Sequence, residues 1–140
     1  MSEEKTLTVK ASDESLEEVN AFIHSPLPAG CDDMLLNQID LAVEEIFVNI
    51  AHYSGSEEAE VSCSYHIAGD GSGTLTMIFK DSGKPFNPLA KPDPDLTLSA
   101  EERSIGGLGI FLTKKFMDSV EYEFKDGMNC LTITKKITSC

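Results

Sequence analysis

The sequence predicts an α+β fold, a two-layer sandwich in which helices cover one face of a mixed, mostly antiparallel sheet. The predicted elements run in the order β, α, α, β, β, lid, α, β, β, so most strands follow one another directly and can pair as hairpins. The strict alternation of strands and helices that a doubly wound sheet needs is missing. The chain has 140 residues, which suits a single domain, 1–140.

The first half predicts one strand followed by two helices. Residues 5–11 alternate polar and apolar side chains with β-branched residues, as a short strand does. Residues 16–23 have amphipathic helical spacing and precede a loop with two prolines. Residues 33–53 repeat apolar side chains every three or four positions, and Asp32 and Asp33 can cap the first turn. The clearest helix of the chain is therefore predicted in this last segment.

The second half predicts two hairpins separated by a lid and a helix. Residues 58–68 and 74–79 form the first predicted pair of strands, joined by a glycine-rich turn. A proline-rich stretch at about 87–105 lacks periodicity and is predicted to be a mobile lid. Helical spacing returns after the lid and predicts a helix at 108–117. The second hairpin follows, with predicted strands at 119–124 and 130–137.

The charge of the chain restricts its expected partners. Its 11 Lys and Arg residues and 24 Asp and Glu residues give a formal net charge of -13. Nucleic acids and anionic membrane surfaces bind clustered cations, so neither is an expected partner. No stretch approaches the roughly 18 apolar residues of a membrane span, and the N-terminus lacks a signal-peptide pattern. The four cysteines form no C-x-x-C pair and are expected to be reduced thiols, so we expect a cytoplasmic protein.

Two short polar patterns could carry chemistry, although each also has an ordinary structural explanation. Glu45 and Asn49 are four residues apart and project from one helix face, where a carboxylate can accept a proton and an amide oxygen can bind Mg²⁺. The alternative is a solvated helix face. Asp81 and Gly83 follow a strand, so Asp81 could accept hydrogen bonds from an amine while Gly83 lets the backbone approach a flat ligand. The alternative there is an Asx turn.

A third pattern is the glycine cluster Gly106, Gly107 and Gly109 at the start of the predicted helix 108–117. Unpaired backbone N–H groups and the positive end of the helix dipole can bind an anion at such a position. The cluster fits neither a P-loop nor a dinucleotide-binding fingerprint. Its alternative explanation is a hinge.

Taken in order, the three patterns resemble the ATP-binding motifs of the GHKL, or Bergerat-fold, ATPase superfamily. That family places an N-box on a helix, a D-x-G box after a strand and a glycine box after a flexible lid. The resemblance spans nearly the whole chain and is closest to the small bacterial anti-sigma-factor serine/threonine kinases. The segments that carry it are 45–49, 81–88, 102–104, 107–109 and 116–118.

The resemblance implies that the chain binds ATP and Mg²⁺. Asn49 would coordinate the metal ion, Asp81 would bind the adenine amino group, and Gly83 would pack near the base. Gly107 and Gly109 would hold the phosphates.

The resemblance also implies an activity and partners. Glu45 is similar to the family's general base, which deprotonates a Ser or Thr hydroxyl on a partner protein. Arg103 is similar to the lid residue that reaches the γ-phosphate or the partner. The chain would then be an anti-sigma-factor-type kinase that phosphorylates an antagonist, an anti-anti-sigma protein, and also binds a sigma factor. A homodimer is expected on the same ground.

The sequence departs from the family pattern at two places. Tyr53 stands where the family often has His, while His52, one residue earlier, is expected to have a packing role. The last strand has 129–131, Asn-Cys-Leu, in place of a Gly-Thr-Thr run near the adenine, and Thr132 is the candidate substitute. These departures leave open a nucleotide-dependent module that sequesters a sigma factor or another regulator without kinase activity. An α+β protein that binds no nucleotide is a third alternative.

Overall fold

A five-stranded antiparallel sheet forms the centre of the molecule. The computed structural model describes residues 4–90, 107–138 and 140. Its strands are β1 (Lys5–Lys10), β2 (Glu58–Ile67), β3 (Gly73–Asp81), β4 (Ser119–Lys125) and β5 (Met128–Ile137). They lie in the order β1-β2-β3-β5-β4, and every neighbouring pair is antiparallel. The predicted α+β class is confirmed, but the described sheet is wholly antiparallel rather than mixed.

Three helices pack on one face of this sheet, as the sequence predicts. The helices are α1 (Leu16–His24), α2 (Asp33–Asn49) and α3 (Gly107–Phe116). Asp32 caps α2, because its side chain accepts a hydrogen bond from the Met34 N–H at 3.1 Å. Two features were not predicted: a 3-10 turn at Asp13–Ser15 precedes α1, and a π-helical turn at Ile50–Ser54 continues α2.

The core lies between the helices and the inward face of the sheet. Along β3, buried residues alternate with half-buried ones. Because a strand's side chains alternate between the two faces, a register shift of one residue would turn the apolar set away from the helices. The burial pattern therefore fixes the register of the sheet. The largest fully buried side chains include Phe47, Phe79, Ile39, Leu75 and Ile133.

The predicted lid at about 87–105 falls largely on residues 91–106, which lie outside the described residues. Its described beginning contains a short 3-10 turn at Pro88–Ala90. Asp81, predicted just past a strand, is the last residue of β3. None of the described helices has the length and apolarity needed to cross a membrane.

The expectation that all four cysteines are reduced is wrong for two of them. Cys31, in the loop before α2, forms a disulfide with Cys140, which is 109 residues away in sequence. The fold places the C-terminal residue beside this loop, and such proximity has no signature in the spacing of the cysteines. Cys63 and Cys130 are free thiols, and burial raises the pKa of both.

Candidate functional site

A cavity opens where α2, β3 and the β4–β5 hairpin meet. Its apolar walls include Ile46, Phe79 and Leu131. Its polar lining residues include Asn49 and Asp81. Its empty volume is about 370 Å³, including the part that is open to solvent. Apolar walls with a few placed polar groups are typical of sites for small, flat ligands.

Asp81 has one carboxylate oxygen engaged and one available. The residue ends β3 on the inward face and is only 4% exposed. Its Oδ1 accepts hydrogen bonds from the Gly83 N–H at 2.9 Å and from Asn129 Nδ2 at 3.0 Å. Within the described part of the chain, no donor reaches Oδ2 at hydrogen-bond distance. A ligand that carries an N–H group could therefore bind there.

Gly83 lies directly against the π-helical turn. The Lys84 N–H donates a hydrogen bond to the Ser54 carbonyl oxygen at 3.2 Å. A Cβ added at Gly83 would lie 2.1 Å from that same oxygen, closer than any side chain can approach backbone. Only glycine allows the loop after β3 to rest on this turn. The π-helical turn thus fixes the position of the loop that follows Asp81.

The side chain of Glu45, on α2, lies against the first turn of α3. Asn49 Nδ2 lies 3.5 Å from Glu45 Oε1, which is the long limit of a hydrogen bond. On the other side, a Cβ added at Gly109 would lie 2.0 Å from Glu45 Oε2. Glycine at position 109 therefore leaves the space that the carboxylate occupies. The family resemblance assigns this glycine to the phosphates, and its contact with Glu45 was not predicted from the sequence.

The surroundings of Glu45 favour its protonated form. Burial raises the pKa of the Glu45 carboxyl, and the negative charge of Glu44 adds to the rise. The hydrogen bond from Asn49 opposes it. Because burial is the largest effect, this carboxylate holds a proton more readily than an exposed one. Such a shift suits a group that must accept a proton.

The structure brings most of the predicted site residues to one region. Asn49 and Asp81 line the same cavity, and Glu45 contacts both Asn49 and Gly109. Gly83, in the loop that follows β3, donates its backbone N–H to the Asp81 carboxylate. These residues come from α2, from the end of β3 and from the first turn of α3. Their closeness is the geometric basis for treating them as one site.

Two predicted residues contribute less to the described geometry. Gly107 is the first residue of α3, whose initial N–H groups have no helical acceptor. Arg103 lies outside the described residues. Among residues 4–90 and 107–138, no cluster of three or more His, Cys, Asp or Glu side chains could hold a metal ion. Asn49 fits a Mg²⁺ ion that arrives with phosphate ligands, because Mg²⁺ often takes one or two protein ligands beside phosphates and water.

Asn129 is a site residue that was not predicted from the sequence. It is buried, lines the cavity and binds Asp81. The proposed substitute, Thr132, is wrong, because it lies on the opposite face of the sheet with Ile78 and Lys80. A signal existed in the strand pattern: Asn129 shares the inward face with Leu131, so a polar residue stands at the end of an apolar row.

His52 and Tyr53 lie at the edge of the site rather than in it. His52 Nε2 lies 2.8 and 2.9 Å from the two Asp13 carboxylate oxygens, which joins the π-helical turn to the turn before α1. This contact agrees with the expected packing role. Tyr53 is 54% exposed, and its ring centroid lies 6.2 Å from that of Phe86.

Comparison with known proteins identifies relatives for this arrangement. The chain matches the family model of the histidine kinase-like ATPase domain over residues 9–135. The serine-protein kinase RsbW of Listeria innocua is 30% identical over 115 residues, which cover 78% of this chain and 71% of that protein. The serine/threonine-protein kinase BtrW of Bordetella bronchiseptica is 35% identical over 60 residues, or 43% of this chain and 42% of that protein.

A solved structure supports the fold independently. The crystal structure of the RsbU and RsbW domains of a Mycobacterium tuberculosis protein matches with a TM-score of 0.57 at 16% identity. The match covers 96% of this chain and 32% of that one. At this identity the likeness concerns the fold alone. The family match and the RsbW identity show more: the chain belongs to the histidine kinase-like ATPase domain family and is homologous to the RsbW serine-protein kinases.

Proposed function

We propose that this chain binds ATP with Mg²⁺ in the cavity beside Asp81 and transfers the γ-phosphoryl group to a serine or threonine of a partner protein. The observation that carries this proposal is the unbroken set of contacts from Gly109 through Glu45 to Asn49, which shares the cavity with Asp81. One end of this set is the start of α3, where the phosphates of ATP could bind. The other end is the buried carboxylate of Asp81, which could accept a hydrogen bond from adenine.

The adenine base would enter the apolar part of the cavity. Its exocyclic amino group would donate a hydrogen bond to Asp81 Oδ2, the oxygen that the described protein groups leave available. The faces of the base would contact apolar side chains such as Ile50 and Leu131. Membership of an ATPase domain family supports ATP as the nucleotide.

The phosphates would lie towards α3. The first N–H groups of this helix, from Gly107 onward, point along the axis at its positive end and can hold an anion. The Asn49 side-chain oxygen would hold Mg²⁺, whose charge offsets that of the phosphates. We propose that Arg103 adds positive charge at the γ-phosphate or at the partner. Phosphoryl transfer relies mainly on such positioning and charge neutralisation.

Glu45 would act as the general base. Its carboxylate lies between Asn49 and the first turn of α3, so it is close to both the proposed metal ligand and the proposed phosphate site. A Ser or Thr hydroxyl of the partner would donate its proton to this carboxylate as the oxygen attacks the γ-phosphorus. The pKa of Glu45, raised by burial, favours the capture of that proton.

The proposal extends to partners and location. The phosphate acceptor would be an antagonist of the anti-anti-sigma class, and a sigma factor would be the second partner of a homodimeric, cytoplasmic regulator. The similarity to RsbW serine-protein kinases supports this role. Nucleic acid and membrane are not proposed as partners, since the net charge of -13 opposes binding to polyanions.

The test is phosphate transfer from γ-labelled ATP to a candidate antagonist protein from the same host, in the presence of Mg²⁺. Wild type should label a serine or threonine, and Glu45→Gln should lose at least about a hundredfold in rate, as expected for a general base. Glu44→Gln is the matched control, because Glu44 is an exposed neighbour on the same helix. Equal transfer by wild type and Glu45→Gln would contradict the assigned base.

The second candidate is a nucleotide-dependent module that sequesters a sigma factor or another regulator without kinase activity. It is favoured by Tyr53, which occupies the place of the family's frequent histidine and is exposed beside Phe86. The same assay separates the two functions. Calorimetric ATP binding that is lost in Asp81→Asn, with no transfer to any antagonist, would support the module and exclude the kinase. Asp126→Asn, in an exposed turn, is the control for that substitution.

A further inference from the structure

A buried asparagine joins the two sides of the cavity. Asn129 is 6% exposed and lies on β5 directly across from Asp81 on β3. Its Nδ2 donates hydrogen bonds to Asp81 Oδ1 at 3.0 Å and to the Lys84 carbonyl oxygen at 2.9 Å. Its Oδ1 accepts one from the Phe86 N–H at 3.0 Å. One side chain thus binds both the recognition carboxylate and the loop that follows it.

The backbone of the loop after β3 fixes the orientation of this amide, and a tyrosine adds a further hydrogen bond to it. The Tyr122 hydroxyl donates a hydrogen bond to Asn129 Oδ1. Because the Phe86 N–H can only donate, the Asn129 atom that faces it must be the oxygen. Because the Lys84 carbonyl can only accept, the atom that faces Lys84 and Asp81 must be the N–H₂ group. The polarity of the contact with Asp81 is therefore set by the fold. Tyr122 itself comes from β4 and also lines the cavity.

We propose that Asn129 is the positioning residue that sets the base preference of the cavity, by holding Asp81 so that its Oδ2 accepts a hydrogen bond from adenine and rejects guanine. This inference rests on the proposed ATP binding. It adds a residue, on β5, that the motifs around Glu45, Asp81 and Gly107 do not contain.

The chemistry of the two purines explains the preference. Adenine carries an amino group at the position where guanine carries a carbonyl oxygen. A carboxylate held rigidly with one free oxygen attracts the first and repels the second. If Asp81 could turn, both oxygens could move away from a guanine carbonyl, and discrimination would weaken. Because Asn129 and the Gly83 N–H both bind Oδ1, rotation of Asp81 would break two hydrogen bonds.

The first experiment compares ATP and GTP affinities by calorimetry in the presence of Mg²⁺. Asn129→Ala removes one of the two hydrogen bonds that hold Asp81, so the ratio of ATP to GTP affinity should fall by at least about tenfold, the effect of one well-made hydrogen bond. Tyr122→Phe removes one of the two donors to Asn129 Oδ1 and leaves the Phe86 N–H in place, so it should lower the ratio by a smaller factor. Tyr65→Phe, at the far end of the sheet, is the control and should leave the ratio unchanged. A purely structural role would weaken both nucleotides equally.

The second experiment uses Asn129→Asp, which keeps the shape of the side chain. Two carboxyl groups at this distance share one proton at mildly acidic pH, and that proton replaces the donor that Asn129 provides. As pH rises and the proton leaves, the two negative charges repel and Asp81 turns away. ATP affinity should therefore approach that of wild type near about pH 5 and fall by at least about tenfold by about pH 8.

Other titratable groups must be separated from this effect. Two of the described residues that line the cavity, Asp81 and Tyr122, carry ionisable side chains, and both are also present in wild type. Glu45 on α2 contacts Asn49, but it is present in wild type as well. Asn37→Asp adds the same charge at an exposed position of α2 and is the matched control. The ATP affinity of Asn37→Asp should depend on pH in the same way as that of wild type.

The outcomes distinguish this inference from the proposed function. If wild type binds neither ATP nor GTP, ATP binding itself fails. If wild type prefers ATP, an unchanged ATP to GTP ratio in Asn129→Ala overturns the role of Asn129. Should Asn129→Ala not fold, as judged by thermal unfolding, the Asn129→Asp profile decides. The role of Asn129 is also overturned if the ATP affinity of Asn129→Asp depends on pH as that of Asn37→Asp does. It is overturned as well if Asn129→Asp fails to fold even at low pH.

Discussion

The contact between Gly109 and Glu45 gives a single glycine a role beyond backbone freedom. The atom that a new Cβ would meet is the end of a flexible side chain, Glu45 Oε2, and not backbone. The carboxylate can therefore swing aside at little energetic cost, but it then leaves the place where it would accept a proton. Stability and transfer should respond differently to a substitution at this position.

Gly109→Ala should reduce phosphate transfer by about tenfold to a hundredfold, because the proposed base is displaced. The free energy of unfolding should change by no more than about 1 kcal/mol, since alanine also has the better helix propensity. Rate measurements with γ-labelled ATP and urea unfolding of the same preparation test both parts. A loss of stability without a loss of rate would contradict the contact described here.

The raised pKa of Glu45 predicts the acid side of the pH–rate profile. The base must be ionised, so the rate should fall as pH falls through the raised pKa of Glu45, earlier than for an ordinary carboxylate. Removing the charge of Glu44 removes one cause of the rise. Glu44→Gln should therefore shift this limb to lower pH and keep the plateau rate within about twofold. An acid limb that does not move, or moves to higher pH, would argue against Glu45 as the base.

Among the elements, the π-helical turn after α2 and the loop after β3 form one unit. The turn presents the Ser54 carbonyl, which accepts from the Lys84 N–H, and Ser54 Oγ binds back to the Ile50 carbonyl at 2.7 Å. At Gly83 the neighbouring atom is backbone, which cannot move without moving the turn. This differs from Gly109, where a side chain can yield.

Gly83→Ala should therefore destabilise the fold by about 1–3 kcal/mol, as overpacking does in a close contact. ATP affinity should fall with it, since the Gly83 N–H in this loop binds the Asp81 carboxylate. Gly69→Ala is the matched control: no atom lies within 4 Å of an added Cβ there, and its unfolding free energy should change by less than about 0.5 kcal/mol. Thermal and urea unfolding check both. Equal stability of the two variants would contradict the packing of the loop on the turn.

Much of this arrangement could be predicted from local patterns, and the rest depends on distant contacts. The apolar repeat of α2 and the alternation along β3 indicate their own elements, because each period reflects one buried face. The π-helical turn leaves no such mark, since Ile46 and Ile50 continue the same apolar spacing. The bond between Asn129 and Asp81 joins residues 48 apart in sequence and follows from strand register, which local patterns do not reveal.

For the whole molecule, the net charge of -13 would have to coexist with the proposed polyanionic ligand, ATP. The proposed solution is local: helix N–H groups, Mg²⁺ and Arg103 would provide positive potential where the phosphates lie. Glu57 and Glu58, which belong to the acidic remainder, are exposed, and in the proposed function they would face a basic partner surface.

Association with an antagonist or sigma factor should therefore weaken with salt. Raising NaCl from about 0.05 to 0.5 M shortens the screening length several-fold, and the association rate should fall most. Surface plasmon resonance at graded salt measures this, and replacing Glu57 and Glu58 by Gln should flatten the dependence. A dissociation constant that ignores salt would exclude a role for the acidic surface in partner binding.

A crystal structure of the chain with Mg²⁺ and a non-hydrolysable ATP analogue would test ATP binding at Asp81 directly. The adenine amino nitrogen should lie at hydrogen-bond distance, about 2.7–3.2 Å, from Asp81 Oδ2, with the phosphates at the start of α3. Asn129 should keep its bond to Oδ1. A nucleotide bound away from this cavity, or a cavity that stays empty at saturating analogue, would contradict ATP binding at Asp81 and the kinase built on it.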